Sequence, residues 1–554
     1  MTTIDFRDLP SGSAGISKIF NDYLYDFPKV RKYFSHDFHS LDSLHSHFPN
    51  IQKSSEHRQK LVEILTEQNT KFGCGQRTLD NIRLLKDQHA FCVVTGQQVG
   101  ILGGPLYTLY KTLTAIRLAR ELSAKFLEHK FVPIFWLEGE DHDFEEINNT
   151  LLLTQENATV RIEYLPDNKP VEKNLGAVGE LILGKSIGLL FEQIEKSLQQ
   201  SEFRDRVLSL AKSAYKEGHS LNSAFVIWMN SLLGGVGENP DADPGLIYVS
   251  TNDKEAKRLL SPIFAKELEG FPQTSQLIID QSAELEKEYH AQIKPKAINL
   301  FLFHKGGRYL IEPRENDFSL KGTRHFLTKD ELLRIATETP ELLSPNVVLR
   351  PICQDTLFPT AAYIAGPSEI AYFAQLKSVY EYFDIPMPLI YPRMSATIVE
   401  QKLLNVLEKY ELELVSVYES RDDLNARVVN YISEVSLEEL FGSSKKKIEE
   451  ILNEMKFGLN YVDSTLLDLL ESTRDKIEHH IQILHEKAIA AQSRRHATAI
   501  KQIDRLVNTL VPGGTLQERE LNILYFMNKY GVDFPRSLSD RLQIDMLAHQ
   551  IIEL

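Results

Sequence analysis

The sequence predicts an α/β protein whose parallel sheet is followed by a long helical coiled coil. Two observations carry this. A strand, a glycine-rich turn, a helix and a second strand follow one another between residues 91 and 137. Beyond residue 444, apolar residues recur every seven positions over some sixty residues.

The first 90 residues read as mostly helical and mixed in charge. His36, His39, His45, His47 and His57 fall here. His36-x-x-His39 has metal-ligand spacing, but Ser, Asp and Asn fill the gaps and no acid or cysteine completes a set, so we read a solvated loop and helix. Phe91-Cys92-Val93-Val94 is a short apolar run, as in a buried strand. The turn Thr95-Gly96-Gln97-Gln98-Val99-Gly100-Ile101-Leu102-Gly103-Gly104 comes next, and Pro105 stands where a helix opens. Leu106, Leu109, Tyr110, Leu113 and Ile116 then repeat at helical spacing. Phe131–Leu137 is the second strand. Two strands joined by a helix form a βαβ unit, hence a parallel sheet with a right-handed crossover.

Residues from about 155 to 300 are less regular and read as an insertion or second lobe. They include the breaks Gly234–Gly237 and Asn239–Gly245. Leu300–Phe303, Gly306-Gly307 and Tyr309–Ile311 make a hairpin signal. Pro388–Tyr391 is a further strand, ending in Pro392-Arg393. Leu452, Leu459, Leu466 and Thr473 are seven apart, and a second register follows with Leu470, Ile477, Leu484 and Ala491. The run 444–510 contains no proline and one glycine, Gly458, so a coiled coil about 65 residues long is expected. Thr515 with Glu518 reads as a capping box after Pro512-Gly513-Gly514.

The chain has 554 residues, 42% hydrophobic and 25% charged, which fits a folded protein of several domains. Its 62 basic and 77 acidic residues give −15, against a general nucleic-acid binder but not against a nucleotide in a local basic pocket. The N-terminus lacks a signal-peptide pattern and no 18-residue apolar run occurs, so neither export nor membrane insertion is expected. Cys74, Cys92 and Cys353 make no C-x-x-C pair, which suits a reducing, cytoplasmic setting.

Three segments carry chemistry. With no Gly-Lys-Ser/Thr, and with Lys111 far into the following helix, the glycine turn is not a P-loop. Its amides at a helix N-terminus suit an anion, with a purely structural tight turn as the other reading. The second strand ends in Glu138-Gly139-Glu140-Asp141-His142-Asp143-Phe144-Glu145-Glu146, with six acids in nine residues. Ligands sit beyond the carboxyl ends of parallel strands, so this cluster should border the same crevice. We assign Asp141, His142 and Asp143 to function, as ammonium or Mg²⁺ holders or as a base, and Glu145 and Glu146 to a solvated helix start. The third segment holds Asn346, Arg350, Cys353, Gly366 and Glu369. Arg350 suits a carboxylate or phosphate, or an ion pair with Glu369. Cys353 reads as a buried small residue rather than a nucleophile.

Together these segments resemble the bacillithiol biosynthesis cysteine-adding enzyme family, BshC. The resemblance is carried by Val94–Gln98 with Gly104–Thr108, Phe135-Trp136 with Glu140–Phe144, and Asn346 through Arg350-Pro351. Gly366-Pro367 with Glu369, Pro392-Arg393 with Ser395, and Leu516–Arg519 complete it. It implies a Rossmann-like core with connecting-peptide insertions, a helical coiled coil and a homodimer formed through it. On that basis residues 1–154 hold N-terminal helices and half of the core, 155–300 an insertion, 301–396 the second half, 397–510 the coiled coil, and 511–554 helices returning to the core.

The resemblance also implies addition of L-cysteine to glucosaminyl-malate, the last step to bacillithiol. Joining a carboxylate to an amine needs activation, for which ATP is expected, by way of an acyl-adenylate or an acyl-phosphate with adenylation preferred, and Mg²⁺ is a candidate companion whose requirement the sequence leaves open. Thr95, Gly96, Gln97, Gln98, Gly100, Gly103 and Gly104 would then hold the nucleotide. Asp141, His142 and Asp143 would hold the cysteine ammonium or deprotonate the sugar amine, while Asn346, Arg350, Gly366, Glu369 and Arg393 would meet the substrates. The alternative is a non-catalytic, nucleotide-binding coiled-coil scaffold. An acid-rich strand end beside a glycine turn favours the enzyme.

Overall fold

The computed structural model describes residues 2–9, 16–167, 174–234, 243–315, 317–433 and 435–554. The expected loop signals between 235 and 242 lie outside the described residues. The chain forms two compact units. The first comprises residues 1–398 and 515–552, the second 399–514 with 553–554.

The first unit is built on a five-stranded parallel sheet. From one edge its strands are Leu389–Pro392, Thr360–Ala365, Ala90–Gln98, Lys130–Glu138 and Ile247–Ser250. Numbered along the chain, that order is 5-4-1-2-3, the doubly wound arrangement of a Rossmann-like domain. Phe91, Cys92, Val93 and Val94 are each wholly buried, as their unbroken apolar run predicts for a strand covered on both faces. The helix Leu106–Lys125 crosses between the first two strands and buries Leu106, Leu109, Tyr110, Leu113 and Ile116. Ile247–Ser250 comes from the stretch read as an insertion, yet it supplies an edge strand of the core sheet.

The hairpin near residue 300 is present as Leu300–His304 against Gly307–Pro313, within a five-stranded antiparallel sheet. Thr515 and Glu518 do not form a capping box. Glu518 is fully buried and spends its carboxylate on Arg393, Ser395 and the Ala396 amide. The residues after 515 return to the first unit, where Asn522 Nδ2 donates to the carbonyls of Leu102 (3.0 Å) and Gly104 (2.7 Å).

In the second unit, the run expected as one helix is three: Leu437–Val462, Leu466–Arg495 and Ala497–Leu510. The first two run antiparallel as a helical hairpin. Arg474 reaches Asn453, Lys456 reaches Glu471, and Phe441 stacks on His485. Asp463 ends the first helix because its carboxylate accepts both the amide and the hydroxyl of Thr465, a local turn that competes with helix bonding. The chain therefore reverses direction within the heptad run. No helix among the described residues is long and apolar enough to cross a membrane.

Candidate functional site

In a doubly wound sheet the crevice opens where strand order reverses, here between Ala90–Gln98 and Thr360–Ala365. A cavity of about 360 Å³ lies there. Each core strand but one delivers residues to it: Gly96, Gln97 and Gln98 from the first, Glu138 from the second, Gly366 and Glu369 beyond the fourth, and Arg393 beyond the fifth. Lys111, Arg350 and Arg519 complete a wall of four cations facing Glu138, Glu146 and Glu369.

Lys111 had been passed over as too deep in its helix for a phosphate loop. Its side chain is 1% exposed and runs up the inner face, where Nζ donates to Gly96 O (2.6 Å) and Glu369 Oε2 (2.7 Å). Glu369 also accepts from Tyr363 (2.7 Å) and from the Gly366 amide (2.8 Å). Burial pushes the Glu369 carboxyl up, but Lys111 and these hydrogen bonds outweigh it and hold it below its usual range. Arg350, read as suiting a carboxylate or phosphate or as pairing with Glu369, lies in the helix Leu349–Leu357. It reaches Glu138 at 3.4 Å and donates to Tyr372 at 2.5 Å. Glu138 accepts from Trp136 Nε1 (3.1 Å), and burial lifts its carboxyl above the usual range against the pull of Arg350. A carboxylate of raised basicity at a strand end is suited to take a proton from an incoming group.

Arg393 is held from behind. Glu518 binds it at 2.6 Å and also accepts from Ser395, which pairs with His549 at 2.8 Å. Arg519, the next residue, is half-buried and has no carboxylate partner among the described residues. Its guanidinium sits 5.9 Å from the Tyr107 ring, near the other cation on that ring, Arg393, at 5.6 Å. Short-range patterns carry no hint of Arg519 beyond its place in the family motif, because 420 residues separate it from the first strand.

The other expected residues are placed unevenly. Thr95 is fully buried, and its hydroxyl donates to Ile364 O. The turn Gly100–Gly104 is knitted to protein. The Ile101, Gly103 and Gly104 amides donate to Ile147, Gly100 and Ile101, and the Leu106 amide at the helix start donates to Leu521. Its carbonyls receive Tyr215, Trp228 and Asn522. Gly103 lines neither this cavity nor its neighbour, whereas Gly100 and Gly104 border a second cavity beside it. Asn346 caps the Leu349–Leu357 helix through the Val348 amide and donates to Asn299.

Asp141, His142 and Asp143 lie past the strand end and line neither cavity. Asp141 accepts from Gln98 Nε2 (3.1 Å) and Arg308 Nη1 (3.2 Å), and it contacts His142. Burial raises its carboxyl, but His142 and Arg308 reverse this and set it well below the usual range. Asp143 is exposed and accepts the Glu146 amide. Glu146, assigned to a solvated helix start, is exposed but lies in a turn, where it borders both cavities and accepts from Gln98 at 2.6 Å. Glu140 is buried on Lys257. Cys353 is wholly buried, and burial pushes its thiol far up, as for a packing residue. Among the described residues no three His, Cys, Asp or Glu side chains group to hold a metal.

The comparisons agree with this fold across the chain. The family model described as "Bacillithiol biosynthesis BshC, N-terminal Rossmann-like domain" matches residues 3–394, and "Bacillithiol biosynthesis BshC, C-terminal coiled-coil domain" matches residues 396–554. A protein of Salinibacter ruber named "Putative cysteine ligase BshC" is 36% identical over 99% of this chain and 98% of its own. One of the same name from Chloroherpeton thalassium is 36% identical over 98% and 97%. Another from Bacillus cytotoxicus is 30% identical over 90% and 91%.

Proposed function

The chain belongs to the BshC family of bacillithiol biosynthesis, and from that premise we propose that it is a ligase joining the carboxyl group of L-cysteine to the amine of glucosaminyl-malate, forming bacillithiol. One observation carries the reading: a single cavity at the switch point of the sheet sets four cations against three carboxylates. That is the lining needed where carboxylates and an amine must meet.

The roles follow from the contacts. Lys111, Arg350 and Arg393 are anchored by Glu369, Glu138 and Glu518, so they present charge at fixed positions. They orient the carboxylates. Glu138, with its raised basicity, takes the proton that the acceptor's ammonium must lose to become the attacking amine. Gln98, held by Asp141 and Glu146, orients the amine side.

ATP, when bound, supplies the leaving group that a carboxylate lacks. The amides of the Gly100–Gly104 turn are spent within the protein, so the side chains of Lys111, Arg350, Arg393 and Arg519 would hold its phosphates. Mg²⁺ would arrive as the nucleotide's counter-ion. The three cysteines are free, which suits the cytosol.

Pure protein with L-cysteine, glucosaminyl-malate and ATP should yield a product heavier by one cysteinyl residue. No product from the three together overturns the ligase. AMP among the products marks adenylation and ADP an acyl-phosphate route.

The hairpin exposes Met455, Phe457, Tyr461, Val462, Leu469 and Leu484. We assign this apolar surface to a homodimer, since such a stripe is stable when covered. Light scattering should give twice the chain mass, and a monomer at working concentration overturns it.

A further inference from the structure

Three of the four cations in the charged cavity are fixed by carboxylates: Lys111 by Glu369 at 2.7 Å, Arg350 by Glu138 at 3.4 Å and Arg393 by Glu518 at 2.6 Å. Arg519 is mounted differently. Its backbone is held from both sides. Glu518 is buried on Arg393, Glu520 pairs with Arg161 at 2.8 Å, and the Leu521 carbonyl accepts the Leu106 amide at 3.0 Å. Among the described residues, the partner of its guanidinium is an aromatic ring, that of Tyr107, with the centroid 5.9 Å away. Tyr107 stands in the first turn of the helix Leu106–Lys125 and borders both this cavity and its smaller neighbour. Gln97 Nε2 donates to its hydroxyl at 3.2 Å, which fixes the outer end of the ring. The same ring lies 5.6 Å from Arg393.

The two kinds of mount differ in what they leave for a ligand. A carboxylate fixes an arginine and cancels its charge. An aromatic face attracts the cation through its quadrupole and leaves the charge whole. Arg519 is thus the surplus positive charge of the cavity, set in a defined place, which is what a polyanion needs. We propose that Tyr107 is a positioning residue for the nucleotide's phosphates and acts through Arg519. The assignment rests on the nucleotide reading above and divides the labour within it: the phosphates meet Arg519, and the ring decides where Arg519 stands.

Tyr107→Leu removes the ring, and Tyr107→Phe keeps it without the hydroxyl. Titration calorimetry on the full chain should use three probes: ATP with Mg²⁺, inorganic tripolyphosphate, and L-cysteine. Tyr107→Leu should raise Kd for ATP and tripolyphosphate roughly five- to thirtyfold, the worth of a partly desolvated cation–π contact, and leave cysteine within about twofold because Arg393 keeps Glu518. Tyr107→Phe should bind all three within about threefold of the wild type, the lower end of one hydrogen bond. Arg519→Gln should lose at least as much phosphate affinity as Tyr107→Leu, and the double variant should match Arg519→Gln alone. Tyr107→Met takes the place of Tyr107→Leu if circular dichroism shows lost structure. Additive losses in the double variant overturn the proposal, as do an equal loss for cysteine or a Tyr107→Phe variant as weak as Tyr107→Leu. If ATP does not bind the wild type, the nucleotide reading falls and tripolyphosphate decides: binding that depends on the ring sustains the role of Tyr107, and no binding overturns it. If cysteine does not bind, the result counts against the ligase, and the contrast between Phe and Leu together with the double variant decides for Tyr107.

Discussion

Gly104-Pro105 and Gly366-Pro367 both open helices at the ends of neighbouring parallel strands, yet they are used in opposite ways. Around Gly104 the backbone is spent on the protein itself. Gly103, at φ +82°, has Trp228 so close that a Cβ would sit 3.1 Å from its ring, and Leu102 is held at φ +54°. Tyr215, Trp228 and Asn522 take the carbonyls. At Gly366 the φ is ordinary, −81°, and the first turn of the helix faces the cavity. Glu369 reaches back to the Gly366 amide and also holds Lys111, while a Cβ on Gly366 would come within 3.3 Å of Arg393 Nε. Glycine serves packing in one case and leaves room for working side chains in the other. The same dipeptide thus marks a structural joint and a chemical one, and neighbours far along the chain decide which.

The contrast breaks most sharply at Lys111. Lys111→Met removes a cavity cation and strands Glu369, so turnover should fall at least about a hundredfold, together with about 3–5 kcal/mol of stability in urea unfolding. Adding Glu369→Gln should return much of the stability and none of the activity. If the double variant regains turnover, the second joint is structural too.

Glu138→Gln should lower kcat by roughly ten- to a hundredfold. The base must be ionised to act, so wild-type kcat/KM should fall as pH drops through a pKa above the usual 4.5. That acid limb should vanish in the variant, and its persistence would give the proton to another group.

Next comes the acid cluster. Asp141→Asn loosens Gln98 and Arg308 and should reduce kcat/KM by about tenfold, the value of one charge-assisted hydrogen bond. Asp143→Asn, exposed and outside both cavities, should stay within about twofold. Equal effects would mean a diffuse field rather than a positioned group.

Gly103→Ala should show the smallest catalytic effect. It forces a left-handed conformation on alanine beside Trp228, at a cost of about 1–3 kcal/mol in urea unfolding, while kcat of the folded fraction stays within about twofold. A large fall in kcat at full stability would make the first joint chemical after all.

The sheet and its helices were legible because apolar runs and 3.6-residue spacing are local signals, as at Phe91–Val94 and Leu106–Ile116. The site was half legible. Gln97, Gln98, Gly366, Glu369 and Arg393 line the cavity because strand ends and the turns and helix starts after them carry them, and Arg350 does so from the helix Leu349–Leu357. Lys111 was discarded on its distance from the turn, although a lysine side chain on the inner face of a packed helix spans about one turn. Of two exposed carboxylates, Glu146 borders the cavities and Asp143 does not, which charge spacing alone does not say. Arg308, Arg519 and the Glu518–His549 support come from remote segments, and no local period could have joined them to the first strand. The heptads were read correctly as coiled coil but incorrectly as one helix, because a three-residue polar break at Asp463-Ser464-Thr465 weighs little against seven-residue periodicity.

The return of residues 515–552 to the first unit has a consequence for biogenesis. Every strand of the core sheet leaves the ribosome before residue 393, but Arg519, Glu518 and Asn522 emerge only after the 116 residues of 399–514 have been synthesised. At typical elongation rates that interval is roughly 6–23 s. During it the nascent sheet stands with Arg393 uncapped and its glycine turn unpinned. A transcript or message cut short within the hairpin therefore releases a polypeptide with all its core strands and an unfinished cavity.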